Sequence, residues 1–199
     1  MRQMFILAML LVVSHLSVGG LVEVNDFSGQ YAGYVQEDNL QVPFTDNVNL
    51  LYTFVHSAAY TNGENYVYLY QVTNMNFTRV LHRFSAADFD GLNSGTTMGY
   101  LSADSAAPLG FLAGGIEPVS GDIYGKTFGF SFELLPMRFS TVLLVESPYA
   151  PSVITGYLQN GGQSWGDVLG ATIPEPASLG LFMVGTLFAW RKRKYTQRV

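Results

Sequence analysis

The sequence predicts an all-β fold, an antiparallel β-sandwich of the jelly-roll type, and three observations lead to this prediction. Phenylalanines occupy alternate positions of residues 128–132 and are separated by Gly129 and Ser131, as in a strand with one face in water. Tyrosines alternate with apolar residues over residues 66–70, as in a strand covered on both faces. Between the two ends of the chain, no segment repeats apolar residues at the 3.6-residue period of a helix. Layered antiparallel sheets suit these patterns.

The other strands are placed by short apolar runs between turn-forming residues. Their predicted positions are residues 31–36, 48–56, 78–84, 141–146 and 153–158. Asn62-Gly63 lies between two predicted strands, and this dipeptide predicts a hairpin turn because both residues readily adopt positive φ. The stretch 85–108 is predicted as a long loop, and the glycine-rich residues 159–172 as a flexible linker. These boundaries leave one domain, residues 21–158.

Composition excludes several classes of protein. The chain has no cysteine, which removes disulfides, thiolate metal sites and a cysteine nucleophile. Residues 21–173 contain four basic residues and fourteen acidic ones, a net charge of −10. An acidic surface repels phosphate backbones, so nucleic acid is not expected as a partner.

The first twenty residues have the pattern of an export signal. Arg2 precedes an apolar run over residues 4–13, and small residues follow at Ser17, Gly19 and Gly20. Ten apolar residues are too few to span a bilayer. Residues 1–20 are therefore predicted to be a signal peptide that is cleaved after Gly19 or Gly20. The general secretion machinery and a signal peptidase are the partners that this prediction requires.

The C-terminus combines three features in a fixed order. Pro174, Glu175 and Pro176 come first, and an uncharged, mostly apolar segment follows over residues 177–190. As a helix this segment is about 21 Å long, shorter than the hydrocarbon core of about 30 Å, so it is a marginal transmembrane helix. A basic tail, residues 191–199, holds its end in the cytoplasm. The charges nearest the membrane are those of Arg191, Lys192, Arg193 and Lys194.

This order of Pro-Glu-Pro, apolar segment and basic cluster resembles the PEP-CTERM sorting signal of Gram-negative envelope proteins. The resemblance covers residues 173–194. It implies that an exosortase-type membrane transpeptidase cuts near the Pro-Glu-Pro and discards the helix and the basic tail. It also implies a transient stay in the inner membrane, a final location at the cell surface or outside the cell, and a structural or adhesive role in an exopolysaccharide or biofilm setting.

Asp88 and Asp90 form the only candidate metal loop that the sequence suggests. The segment Asp88 to Asn93 places oxygen ligands at alternate positions, as calcium loops do. Leu92 and Gly99 stand where an EF-hand needs a third ligand and a bidentate glutamate. A solvated turn without a cofactor is the favoured interpretation, and calcium is the alternative.

Four tyrosines in predicted loops suggest a second function, carbohydrate binding. Aromatic faces pack against the apolar side of pyranose rings, and loop residues are accessible to a ligand. The four are Tyr60, Tyr100, Tyr124 and Tyr149. A carbohydrate-binding module, assisted by calcium or not, is therefore an alternative to a purely structural role.

Catalytic motifs are weak in this chain. Ser164 lies in a G-x-S-x-G sequence, but it falls in the predicted linker, and every histidine, at positions 15, 56 and 82, precedes it. In the α/β-hydrolases that use this motif the histidine follows the serine. His56 and His82 lie on predicted apolar strands without other metal ligands, which favours structural roles. We therefore expect no enzyme; a glycan-active hydrolase, which needs a carboxylate pair, is a further alternative.

Overall fold

The computed structural model describes residues 20–31, 33–44, 52–102 and 110–173. Residues 1–19 of the predicted signal peptide, the residues Pro174 to Pro176, the predicted helix at 177–190 and the basic tail lie outside these ranges. Within the described ranges the secondary structure consists of thirteen strands. None of these ranges contains a helix that is long and apolar enough to cross a membrane.

The strands are numbered in chain order. They are β1 Gly20–Val22, β2 Asn25–Asp26, β3 Val35–Phe44, β4 Thr53–Thr61, β5 Tyr66–Asn74, β6 Leu81–Ala87, β7 Met98–Leu101, β8 Ser120–Tyr124, β9 Thr127–Leu134, β10 Arg138–Phe139, β11 Val142–Ser147, β12 Pro151–Gln159 and β13 Gln163–Ala171. The all-β prediction is confirmed.

The strands form two sheets. The first sheet has the order β1-β8-β9-β6-β12-β13, and the second has the order β2-β7-β11-β5-β4-β3, with β10 paired to β5. All of these pairings are antiparallel except that of β2 with β7. A jelly roll passes most successive strands between its sheets, whereas the β3-β4-β5 meander and the β8-β9 and β12-β13 hairpins each stay within one sheet. The jelly-roll subtype is therefore not observed, because short connections keep these successive strands side by side in one sheet.

The main core lies between the two sheets. Tyr68 and Tyr70 of the second sheet are buried beside Phe84 and Phe128 of the first. The ring centroids of Tyr70 lie 5.3 Å from Phe84 and 5.4 Å from Phe128, within the range of favourable aromatic pairs. The Tyr70 hydroxyl donates a 2.7 Å hydrogen bond to the carbonyl oxygen of Leu169, which joins β5 to β13 across the core. The sheets thus face one another as two layers around one apolar interior.

A second, smaller cluster covers the opposite face of β5. Val67 and Leu69 point to that side, together with Leu144 of β11. Loop residues Tyr31 and Phe111 close over them. Both faces of β5 are therefore buried, as the alternation of tyrosine and apolar residues predicts, and β5 is the central strand of the molecule.

The Asn62-Gly63 hairpin is confirmed. β4 and β5 pair without interruption from Thr53↔Asn74 to Thr61↔Tyr66, so the turn comprises residues 62–65. The Asn62 side-chain oxygen accepts hydrogen bonds from the backbone N–H groups of Glu64 and Asn65, at 3.0 and 2.9 Å. Gly63 has a φ of 93°, a conformation that glycine adopts without strain.

The linker predicted at residues 159–172 is wrong. Most of that segment is β13, which pairs with β12 over nine residues from Gln163 to Ala171. Its glycines allow close packing rather than flexibility: a Cβ at Gly166 would lie 2.8 Å from the Phe44 ring, and one at Gly170 would lie 2.1 Å from Ile154. The folded domain therefore extends through β13 and does not end at residue 158.

The loop predicted at residues 85–108 is wrong in part. β6 continues to Ala87, and β7 occupies Met98–Leu101 at the centre of this segment. The small residues of this segment fit tightly packed positions: Ala86 is fully buried, and a Cβ at Gly99 would overlap the Asn25 carbonyl oxygen.

Candidate functional site

Asp90 links the end of β13 to the rest of the domain. One carboxylate oxygen lies 2.6 Å from the Lys126 ammonium, and the other accepts a 2.8 Å hydrogen bond from the Ile173 backbone N–H. The backbone N–H of Asp90 donates to the Ala171 carbonyl oxygen at 2.8 Å. Only 8% of Asp90 is exposed. We call Asp90, Lys126 and Ile173 the junction clamp.

The electrostatics of the clamp favour the charged form of Asp90. Burial raises the pKa of this carboxyl group, but the hydrogen bond from Ile173 and the contact with Lys126 outweigh it and lower the pKa below its ordinary value. The Asp90 contact also raises the pKa of Lys126. Asp88 is not in the clamp; its φ of 62° lets the chain turn into the buried position of Asp90.

The clamp bears on the calcium alternative. Calcium needs six to eight oxygen ligands, and Asp90 already uses both oxygens on protein groups. No group of three or more metal-ligating side chains occurs among residues 20–31, 33–44, 52–102 and 110–173. Asp90 is also not a residue of a solvated turn, as the favoured interpretation had it, because it is buried.

A polar cleft of about 180 Å³ lies beside the clamp. It is formed where the 91–97 loop, the β4-β5 turn and the end of β11 meet. Its lining residues are Asn65, Gly91, Asn93, Gly95, Thr96, Thr97, Glu146, Ser147 and Pro148. Amide, hydroxyl and carboxylate groups at this density can bind hydroxyl-rich molecules by hydrogen bonds.

Glu146 is the one carboxylate in the described lining of the cleft. The Tyr31 hydroxyl donates a 3.0 Å hydrogen bond to it, and the Glu146 backbone N–H donates to the Thr97 carbonyl oxygen at 3.0 Å. Burial, and then the charge of Glu146, raise the pKa of Tyr31 well above its ordinary value. Glycoside hydrolysis in most families uses a carboxylate pair, so the lining as described supports binding better than hydrolysis.

The four tyrosines predicted in loops do not share one surface element. Tyr60 is on β4, only 4% exposed, and its hydroxyl donates to the Gln36 side-chain oxygen at 3.1 Å. Tyr100 is on β7, and its hydroxyl donates to Glu117 at 3.3 Å. Tyr124 ends β8 and is 71% exposed, whereas Tyr149 packs against the main core. The loop position expected for Tyr60 is wrong because β4 lies five residues later in the chain than the strand predicted at 48–56. Those expected for Tyr100 and Tyr124 are wrong because β7 and β8 were not predicted.

The structure shows the surroundings of His56, His82 and Ser164, the residues that were considered as metal ligands or as a nucleophile. The His56 ring stacks on Phe111 at a centroid distance of 4.3 Å and its Nε2 lies 3.1 Å from the Asn39 side-chain oxygen. Burial lowers the pKa of His56. His82 is exposed on β6. Ser164 is fully buried inside β13, and its hydroxyl has no hydrogen-bond partner among the described residues, which is not the position of an exposed nucleophile elbow.

The sequence interpretation missed two aromatic residues on the outer face of the first sheet. Tyr157 of β12 pairs directly with Trp165 of β13, and Trp165 is 49% exposed. Ile154 and Leu158 of β12 point into the core, so Tyr157 points away from it. The alternation of β12 by itself could have placed Tyr157, but Trp165 lay in the predicted linker.

An ion pair fixes the centre of the same face. The Arg83 guanidinium binds both carboxylate oxygens of Asp122, one of them at 2.6 Å. It lies against Gly129, where a Cβ would be 2.0 Å from the guanidinium. The hydrogen bond to Asp122 raises the pKa of Arg83. Arg83 is thus held flat on the sheet by a bidentate contact.

The described structure ends two residues after β13, at Ile173, and a family model for the PEP-CTERM protein-sorting motif matches residues 172–194. The chain carries a PEP-CTERM motif. This motif implies an exported protein, membrane-associated sorting and an exosortase as the processing partner. No curated protein and no solved structure matches the chain.

The PEP-CTERM motif follows the folded domain without a spacer. Its first residue, Thr172, donates its backbone N–H to the Ala150 carbonyl oxygen at 3.3 Å, and the next, Ile173, is held by the junction clamp. Pro174 is therefore one bond away from a residue that is fixed to the domain surface.

Proposed function

We propose that this chain is a surface or matrix protein whose β domain is delivered by its PEP-CTERM motif and then acts in a structural or adhesive role. After export the C-terminal helix holds it transiently in the inner membrane, and an exosortase cuts near Pro174, Glu175 and Pro176. The released domain joins an exopolysaccharide or biofilm matrix. The observation that carries the proposal is the match of the sorting motif directly behind a folded β domain.

The physics of the tail supports temporary anchoring. The segment from residue 177 to residue 190 has fourteen residues and no charge, and a helix of about 21 Å is short of the hydrocarbon thickness. Such a segment stays in the membrane only at some cost in bilayer thinning or in side chains that reach for the interface. A permanent anchor would be held more firmly by a longer apolar segment. A segment that is removed needs to hold the protein in the membrane only until it is cut.

The test is the mass of the protein recovered outside the inner membrane. It should begin near Gly20 or Leu21 and lack everything after about Pro176. Changing Pro174-Glu175-Pro176 to three alanines should leave uncut protein in the inner membrane with an unchanged fold. The matched control changes Tyr195-Thr196-Gln197 to alanines, which leaves the motif and the basic cluster intact and should be processed normally.

One outcome would defeat the sorting proposal. If the stable form at the cell surface retains residues 191–199, the C-terminus is an ordinary tail anchor. Recovery of that form in a strain that also processes other PEP-CTERM proteins would exclude a missing exosortase as the explanation.

The second candidate function is a carbohydrate-binding module. It is supported by the polar cleft next to the clamp and by the outward-facing aromatic pair on β12 and β13, in which Trp165 is exposed and Tyr157 is half-buried. Calcium assistance is the weaker form of this candidate, because Asp90 is occupied by Lys126. A glycan-active hydrolase has the least support, since Glu146 is the one carboxylate in the described cleft lining.

A further inference from the structure

The β12-β13 hairpin presents three successive cross-strand pairs on the outer face of the first sheet. The central pair is Tyr157 with Trp165. Gln159 with Gln163 lies on the side of the turn, and Thr155 with Asp167 lies on the other side. Because residues two apart on a strand share a face, all six side chains point away from the core. An aromatic pair is thus bordered on both sides by polar pairs.

The neighbouring strands continue this surface with small side chains. Tyr157 also pairs with Ser85 of β6, Ser85 with Gly129 of β9, and Gly129 with Asp122 of β8. Arg83, paired to Asp122, lies flat over Gly129. Beside the aromatic pair the outer face therefore consists of small residues that are covered in part by the Arg83 guanidinium.

The chemistry of these three pairs suits a sugar chain. Aromatic rings offer an apolar face to the C–H side of a pyranose ring. Amide, hydroxyl and carboxylate groups at Gln159, Gln163, Thr155 and Asp167 accept or donate hydrogen bonds to hydroxyls. All four polar side chains are at least partly exposed, so they are accessible to a ligand.

The negative charge of this face and of the domain indicates which class of polysaccharide can bind here. The one cation on this face of the described sheet, Arg83, is neutralised by Asp122, while Asp167 and Glu133 remain exposed. The domain as a whole carries a net charge of −10. A polyanionic glycan would be repelled by this surface, whereas a neutral one would not.

A protein partner fits this face less well. Two aromatic side chains bury about 150–250 Å² each when fully covered, and the residues around them are polar. Stable protein interfaces bury about 1,200–2,000 Å² with an apolar centre. Two rings between polar borders supply little of that area.

We propose that the outer face of the β12-β13 hairpin binds neutral polysaccharide, with Trp165 and Tyr157 as the stacking surface and the flanking pairs as hydrogen-bonding groups. This site extends the proposed function from a structural role to direct attachment to matrix glycan. It is independent of the sorting step, because the binding takes place on the folded domain.

The test uses the full chain purified in detergent. Affinity gel electrophoresis is run through gels that contain dextran, galactomannan or hydroxyethyl cellulose as neutral polymers, and alginate as an anionic one. Retardation is expected in at least one neutral polymer and not in alginate. Trp165→Ala should weaken that binding about tenfold or more, which corresponds to about 1.4 kcal/mol. Trp165→Phe should keep part of it, because a ring remains.

The matched control is Phe77→Ala, which removes an aromatic side chain that is 83% exposed in the β5-β6 connection and belongs to none of the three cross-strand pairs of the hairpin. It should bind as the wild type does. Thermal melts of each variant establish that the fold is intact. If Trp165→Ala impairs folding, Tyr157→Ala is the second variant, and it should also weaken the binding because it removes the other stacking ring.

Three results would overturn the proposal. They are binding to none of the neutral polymers, binding to alginate alone, and equal loss of binding in Trp165→Ala and Phe77→Ala. A dimer in sedimentation that Trp165→Ala dissociates would also overturn it, because the face would then be a contact between copies of this chain. None of these results bears on the processing near Pro174, which is tested by mass.

Discussion

Asp90 is a buried carboxylate that holds two separate parts of the chain. Its oxygens contact Lys126 in the β8-β9 turn and the backbone of Ile173 after the last strand. The Lys126 side chain is 67% exposed, so solvent screens the ion pair and its contribution is small. The hydrogen bond to Ile173 is better shielded, and without it Ile173 has one fewer contact with the domain.

We therefore expect Asp90→Ala and Lys126→Ala to differ in their effect on stability. Asp90→Ala should lower the free energy of unfolding by about 1–3 kcal/mol, because it removes a charged acceptor and leaves a backbone N–H without its partner. Lys126→Ala should cost less than about 1 kcal/mol. Urea unfolding of the full chain in detergent measures both. An equal cost for the two variants would mean that the ion pair, not the Ile173 contact, carries the clamp.

The ionisation of Asp90 also predicts how the stability of the domain depends on pH. The pKa of Asp90 is lower in the folded protein than in the unfolded chain, where it is near 3.8. Ionised Asp90 therefore adds to the free energy of unfolding above pH 3.8, and this addition is lost as the pH falls through the pKa of the folded state. Asp90→Asn should remove this part of the acid sensitivity. The difference in stability between wild type and Asp90→Asn should therefore shrink below about pH 4.

At the scale of elements, β13 is the segment in which the structure differs most from the prediction, because a strand replaces the predicted linker. Three of its nine residues are glycine or serine, which is typical of linkers. In the folded protein Gly166 lies against Phe44 and Gly170 against Ile154, so the absence of a side chain is a packing requirement. Composition alone cannot distinguish these two uses of glycine, because the neighbours that matter are far away in the sequence.

Gly170→Ala distinguishes a strand from a linker. In a flexible linker this change is neutral or slightly stabilising, because it restricts the unfolded chain. In β13 the new methyl group would overlap Ile154 and should destabilise the domain by about 1–3 kcal/mol. Gly95→Ala is the control, since the nearest atom to its Cβ is an exposed asparagine oxygen at 3.3 Å. A Gly170→Ala variant as stable as Gly95→Ala would argue against the packing seen at β13.

At the scale of the whole molecule, stability rests on two layers of apolar side chains. The chain has no cysteine, and the main core gathers aromatic residues from both sheets. A sheet-on-sheet core of this kind needs no cross-links if enough apolar surface is buried. The two described ion pairs, Arg83–Asp122 and Lys126–Asp90, are only partly buried and add little.

We expect the domain to fold without a metal ion. The full chain in detergent should melt cooperatively, and a chelator should change the melting temperature by no more than about one degree, since only a bound ligand stabilises by mass action. Circular dichroism at a β-sheet wavelength measures this. A large drop with chelator, restored by calcium and abolished by Asp88→Asn, would instead establish the calcium loop.

The sequence by itself determined those features that depend on close neighbours in the chain. Alternation predicted the covered strand β5 and the half-exposed strand β9, and Asn62-Gly63 predicted the hairpin between β4 and β5, because strand period and turn chemistry are local. The order of Pro-Glu-Pro, apolar segment and basic cluster predicted the sorting motif for the same reason. Strand ends were less accurate: β3 and β4 begin four and five residues later than predicted.

The tertiary structure alone decided which distant residues meet. It brought Asp90 to Ile173, placed Trp165 opposite Tyr157 and buried Tyr60. It also made the glycine-rich segment that was predicted as a linker the edge strand of the first sheet. These contacts depend on cross-strand register, and a shift of one residue would send every side chain of a strand to the other face. Register is fixed by the combined packing of both sheets, so it cannot be obtained from any one segment of the sequence.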